Sequence, residues 1–149
     1  FSLTLNKFDN EHGFANSRAR LRMTTLYQVA AANKGIVVGT GNKVEDFGVG
    51  FYTKYGDGGV DISPIADCNK TEVWELGKEL GILKEIIDAP PTDGLWDDGR
   101  TDEGQLGFSY NELEDAMNNP DSPHKAKYEK IRKQNLHKMD PIPVCKIPS

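Results

Sequence analysis

The chain has 149 residues, 37% of them hydrophobic, enough for one ordinary domain around one core. Its net charge of −5 argues against a general nucleic-acid binder, because phosphate backbones select strongly basic surfaces. No stretch approaches the roughly 20 apolar residues that cross a bilayer, and two distant cysteines, Cys68 and Cys145, make neither a disulfide framework nor a metal-ligand spacing. A reducing cytoplasm, away from membranes, fits best. The opening, Phe1 to Asn10, lacks the basic-then-apolar plan of a secretory leader, so a first residue other than Met reads as the start of a portion of a longer product.

In chain order, Asn16 followed by Ser17 to Ala32 predicts a capped amphipathic helix, with Leu21, Met23, Leu26, Tyr27 and Ala30 near helical spacing and Gly35 beyond its end. Ile36, Val37 and Val38 form a short apolar run bounded by glycine, the pattern of a strand buried on both faces, and Gly39-Thr40-Gly41 would be the turn at its end. Val60 to Ile65 predicts a second strand. Asn69 then caps a helix from Lys70 to Leu80, with Glu72 at the capping-box position and Gly81 as its stop. Helix, strand and Gly-rich turn in this order predict an open α/β sheet whose ligands sit beyond the strand ends.

The segment 88–104 is rich in Pro, Gly, Asp and Thr, and a loop of that length in a compact domain suggests a lid. Ser109 to Met117 predicts a helix opened by a second capping box, Ser109 with Glu112. Another helix should start at Ser122-Pro123 and reach about Gln134, leaving a Pro-punctuated, extended tail from Pro141 to Pro148.

Several residues could carry chemistry. Arg18, Arg20 and Arg22 crowd the first turns of one predicted helix, whose amino end is already partly positive. They are either solvated and paired with acids such as Glu11, or they serve an anion. Arg18 and Arg22 share a face, and Arg20 points elsewhere. The turn through Gly39, Thr40, Gly41 and Asn42 offers N–H groups and a hydroxyl to a nucleotide, and Glu45, followed by Asp46, could hold a hard divalent cation beside phosphates.

The run from Phe51 to Asp61 concentrates aromatic, charged and glycine residues. Lys54, Asp57 and Asp61 bracket Gly56, Gly58 and Gly59, whose missing side chains allow left-handed backbone or close approach to a ligand. A plain hairpin with a surface ion pair is the bland alternative. Lys70 in the first turn of its helix could meet an anion or be merely solvated. Thr92 lies in the suspected lid. His137-Lys138 would follow the last helix, a pair that is ordinary on any surface.

Taken together, Asn16 to Met23, the Gly-Thr-Gly-Asn turn leading to Glu45, Thr53 to Asp61, and Gly107-Phe108-Ser109-Tyr110 resemble the ammonia-dependent NAD synthetases of the ATP-pyrophosphatase superfamily. The resemblance implies an adenine-nucleotide-hydrolase-like, Rossmann-like three-layer α/β/α fold with a parallel sheet, of which residues 1–149 would be the carboxyl-terminal portion of a single domain. It implies that ATP adenylates the nicotinate carboxylate of deamido-NAD, and that ammonia then displaces AMP to give NAD.

By the same resemblance, Asn16, Arg20, Tyr27, Lys54, Asp61, His137 and Lys138 would bind deamido-NAD. Thr40, Lys70 and Thr92 would contact ATP, and Glu45 would ligate Mg²⁺. Lys54 would offset charge on the acyl oxygen while Asp57 or Asp61 handles ammonia or its proton. A homodimer is implied, with α-helical arginines near its interface.

Two departures stand out. The superfamily's phosphate loop, Ser-Gly-Gly-x-Asp-Ser, does not occur, so a missing amino-terminal half would have to supply it and this chain alone should be inactive. The spacing from Glu45 to Lys54 is one residue longer than in many members. Two alternatives stay open: another ATP-pyrophosphatase such as a GMP synthetase-like enzyme, and a non-catalytic nucleotide-binding fragment.

Overall fold

A computed structural model describes residues 6–8 and 10–147. Phe1, expected to begin a portion of a longer product, and Pro148, at the end of the expected extended tail, lie outside the described residues. Among the described residues, six α-helices carry the fold: α1 Glu11–Ala32, α2 Lys70–Glu79, α3 Lys84–Ile87, α4 Asp102–Leu106, α5 Tyr110–Asn118 and α6 Lys125–Met139. A π-helical turn spans Lys43–Val49. None of these helices is long and apolar enough to cross a membrane.

The expected parallel sheet is not formed among the described residues. The two extended segments meet at one isolated parallel bridge, Val38 with Ile62. It is supported by Asp61 N donating to Val37 O (3.0 Å) and Gly39 N to Ile62 O (2.7 Å). The apolar run is not buried on both faces: Val37 is 6% exposed, but Ile36 and Val38 are 60% and 53% exposed. With one short partner and no cover on the outward side, the run stays a bridge and the α/β/α expectation is corrected to a helical assembly.

The core lies where α5, α6 and the π-helical turn meet. Val44 and Val49 from the turn, Leu113 and Ala116 from α5, and Tyr128 from α6 pack with Leu106, Phe108 and Tyr110. Leu113 is fully buried, which contributes about 2 kcal/mol for a side chain of its size. The Ser109–Glu112 capping box opens α5 as read: Ser109 Oγ accepts from Glu112 N, and Glu112 Oε2 accepts from Ser109 N at 2.7 Å.

The polar face of α6 satisfies the last carbonyls of the π-helical turn, groups that a helix end leaves without internal donors. Asn135 Nδ2 donates to Val49 O (3.0 Å), and Arg132 Nη1 donates to Phe47 O and Gly48 O. Lys138 Nζ donates to Gly50 O and Tyr52 O, both at 2.8 Å. This continuous use of 132, 135 and 138 explains why α6 runs to Met139, past the expected end near Gln134, and puts His137 and Lys138 inside its last turn.

Helix α1 also begins earlier than expected. Asn10 is its cap, accepting from Gly13 N at 2.7 Å. Asn16, the expected cap, lies within the helix and accepts from Thr53 Oγ1 at 2.6 Å. At the far end Lys34, not Gly35, takes the left-handed conformation (φ 55°). Segment 88–104 is irregular up to Thr101, whose side chain accepts from Gly104 N and starts α4.

Candidate functional site

Two adjoining concavities, of about 420 and 350 Å³, lie between α1, the π-helical turn, segment 91–105 and the start of α2. Both are lined by Phe51, Asp57, Asp93 and Leu95, so they form one cleft with two lobes. Thr40, Glu45, Lys70 and Thr92, the expected nucleotide and metal residues, all line the first lobe. Asn16 and Lys138 line the second, with His12, Trp96 and Arg100.

The first lobe is organised around Glu45. Asn42 fixes the start of the π-helical turn, its side-chain oxygen accepting from Val44 N and Glu45 N at 3.0 Å each. Its amide nitrogen donates to Glu45 Oε2 at 2.6 Å. Lys70 Nζ donates to Glu45 Oε1 at 3.1 Å, and the Tyr110 hydroxyl donates to the same oxygen. The carboxylate is thus held by three donors from three elements.

Tyr110, 2% exposed, also reaches Asp102 Oδ2 at 3.4 Å. Asp102, itself 8% exposed, keeps its other oxygen, Oδ1, without a partner. Burial, then the nearby charges of Glu45 and Asp93, push the Asp102 carboxyl up to about 6. Burial, with Asp57 and Glu45 adding to it, pushes Asp46 up to about 7. Asp57 is raised as well: protein surrounds its carboxyl even though the cleft leaves it open to solvent. Lys138 is lowered by burial, against the opposing pull of Asp57 and Asp46.

The remaining expected residues, Arg20, Tyr27, Lys54, Asp61 and His137, line neither lobe and are joined by hydrogen bonds beyond them. Arg20 Nε donates to Lys54 O (3.1 Å), and Lys54 Nζ donates to His137 O (2.5 Å). The Tyr27 hydroxyl donates to Asp61 Oδ1 (3.3 Å), whose Oδ2 accepts from Val37 N (2.7 Å). Lys54 and Asp61 line neither lobe, and Asp61 ties the bridge segment to α1. Asp57 is the one member of the expected catalytic trio that faces the cleft.

The glycines of this run act by close approach. None of Gly56, Gly58 and Gly59 has positive φ; Tyr55 does, at 67°. A Cβ on Gly56 would lie 2.9 Å from Ala19 Cβ, and one on Gly59 would lie 3.1 Å from the Tyr55 backbone. Residues the sequence reading missed are Asp102 and Tyr110. Tyr110 sat inside a quoted motif without a role, and nothing local signals that Asp102 becomes buried.

Mg²⁺ takes one or two protein carboxylates together with substrate phosphates and waters. No group of three or more His, Cys, Asp or Glu among the described residues could hold a metal ion unaided. An oriented Glu45 in an acid-rich lobe, near a buried Asp102 oxygen that lacks a donor, fits that modest requirement.

The sequence matches the family described as NAD synthase over residues 2–146. It is 45% identical over 135 residues to a protein of Alkaliphilus oremlandii named NH(3)-dependent NAD(+) synthetase, covering 89% of this chain and 53% of that protein. The fold superposes with a TM-score of 0.89 on the structure of NMN synthetase from Francisella tularensis, at 33% identity over 97% of this chain and 61% of that one. It also superposes, at 0.64 and 25% identity, on an NH3-dependent NAD synthetase from Campylobacter jejuni, covering 88% of this chain and 54% of that one. The chain spans about half the length of the curated relatives it matches.

Proposed function

Because the chain belongs to the NAD synthase family, we propose that it contributes the substrate cleft of an ammonia-dependent amide ligase that converts deamido-NAD to NAD with ATP. The observation that carries this reading is the two-lobed cleft, with Thr40, Glu45, Lys70 and Thr92 around one lobe and Asp57 at the junction.

In this reading the first lobe takes ATP. Lys70 and the Thr40 and Thr92 hydroxyls meet its polar groups, and Glu45 would hold Mg²⁺, which neutralises phosphate charge and makes pyrophosphate a better leaving group. A carboxylate resists amide formation until one oxygen becomes a leaving group. The nicotinate carboxylate therefore attacks the α-phosphorus, pyrophosphate departs, and ammonia adds to the acyl carbon and expels AMP.

Asp57 opens to both lobes, so it is the group in place to hold ammonia and accept its proton as the amide forms. Lys138 and Asn16 in the second lobe, with Arg20, Lys54 and His137 linked to one another outside it, would receive the dinucleotide, and Tyr27 and Asp61 order the neighbouring bridge segment. The arginine-bearing α1, which exposes Leu21, Leu26 and Val29, suits a homodimer contact. Segment 88–104 acts as a lid. The acid-rich cleft and family membership weigh against a GMP synthetase-like enzyme.

The test is NAD formation by the intact protein from deamido-NAD, ATP, Mg²⁺ and ammonium, with Asp57→Asn measured beside it. Loss of about 10²-fold or more in the amide-forming step supports the acid–base role. This chain alone should be inactive, and no NAD from the chain joined to an amino-terminal half that carries the phosphate loop removes the reading. A second reading, amidation of the mononucleotide instead of the dinucleotide, is favoured by the higher TM-score against NMN synthetase. Comparing kcat/KM for nicotinate mononucleotide and deamido-NAD separates them.

A further inference from the structure

The arginines of α1 divide their work. Arg22 Nη1 donates to Asp93 O (3.2 Å), and its Nη2 donates to Gly94 O (2.7 Å). Arg18 Nη1 donates to Leu95 O at 2.6 Å. The two side chains stand one turn apart on one face of the helix, and together they bind three consecutive carbonyls of the lid segment. Arg20, on another face, is turned to Lys54 O.

The segment is shaped for this contact. Gly94 N donates to Thr92 Oγ1 (3.1 Å), Leu95 N donates to Asp93 Oδ1 (2.8 Å), and Gly94 takes φ 59°. These turns use up the local donors and leave the carbonyls facing α1. On the opposite side, Asp102 N donates to Pro91 O (3.0 Å), and Gln105 Nε2 donates to Asp93 Oδ2 (3.1 Å). The segment is held from α4 and from α1, with Thr92, Asp93 and Leu95 facing the first lobe between the two.

We propose that Arg22, assisted by Arg18, is a positioning residue that latches segment 91–95 over the first lobe and so places Thr92 for the nucleotide. The role given to Thr92 rests on the ATP reading above; the latch does not. A guanidinium presents two N–H groups in a fixed fork, so one side chain can hold two successive carbonyls, which a lysine cannot do with the same geometry.

Hydrogen exchange of the intact, ligand-free protein tests the latch. Arg22→Ala should speed exchange at Leu95, Asp102 and their neighbours by about tenfold, with no change at α5 amides such as Leu113. Arg22→Lys should fall between the two, and Arg18→Ala/Arg22→Ala should exceed either single change. With ATP present, Arg22→Ala should raise KM for ATP while leaving KM for the dinucleotide unchanged. Unaltered exchange at 91–105 in the double variant overturns the latch, and so does acceleration that extends equally through α5. Local loosening in the variant, together with a wild-type protein that binds no ATP, would refute the nucleotide reading and leave the latch standing.

Discussion

Lys70 Nζ lies 3.1 Å from Glu45 Oε1, and the two side chains are only 18% and 12% exposed. A pair this buried gains strong attraction at the cost of removing both charges from water, so its removal is harsher on one side than on both. Lys70→Met leaves the Glu45 carboxylate with Tyr110 and Asn42 as its only donors and should cost about 3 kcal/mol. Lys70→Met/Glu45→Gln removes the unpaired charge and should recover a large part of that loss. Urea unfolding of the three proteins checks this, and a double variant no better than Lys70→Met would show that the pair is not what stabilises the lobe.

Asp46 carries the clearest pH dependence. Its folded-state value, about 7, stands well above its ordinary value of 3.8 because burial and the neighbouring Asp57 and Glu45 disfavour its charge. Between those two values the folded state binds the proton more tightly than the unfolded chain, so stability falls as pH rises from about 4 to about 7 and then levels. Asp46→Asn removes the dependence, and no hydrogen bond of the carboxylate is lost among those observed. It should stabilise the protein at pH 8 by about 2 kcal/mol, roughly half of what the full shift corresponds to because the carboxyl is partly exposed, and by almost nothing near pH 4. Thermal unfolding at both pH values decides it; an equal gain at both would mean that charge is not the cause.

The helix caps show how far local sequence reaches. Ser109 with Glu112 was legible because both halves of that box are made within one turn. Asn16 misled because an Asn before a helical pattern looks like a cap, yet its amide serves Thr53 across the fold while Asn10 closes the helix. Asn10→Ala should therefore cost about 1 kcal/mol and fray the first turn. Asn16→Ala should instead leave that turn intact and weaken the Thr53 contact. Amide exchange at Gly13 separates them, and fraying in Asn16→Ala alone would reverse the assignment.

The bridge between Val38 and Ile62 was misread for a related reason: a short apolar run records β preference but not whether anything covers its second face. The π-helical turn Lys43–Val49 likewise carries no local sequence signal. There Gly50 N reaches back to Glu45 O, five residues away, a wider turn than an α-helix makes. Glu45, Lys70, Thr40 and Thr92 could be gathered from family resemblance. Asp102 could not, since its burial depends on α4 folding against the distant Pro91.

Gly56 is where α1 meets the turn that carries Asp57. A Cβ there would stand 2.9 Å from Ala19 Cβ and from Thr53 Cγ2. Thr53 cannot yield freely, because its hydroxyl donates to Asn16 and its N–H donates to Asp57 Oδ1 at 3.0 Å. Gly56→Ala should thus cost about 1–3 kcal/mol through overpacking, with no backbone strain, as Gly56 does not have positive φ. Ala19→Gly in the same protein removes one of the two collisions, though it adds about 1 kcal/mol of helix cost of its own. The combination should lose less than the sum of the single changes. Strict additivity in urea unfolding would show that the helix and the turn do not press on each other at this point, and Asp57 would then owe its position to the Thr53 amide alone.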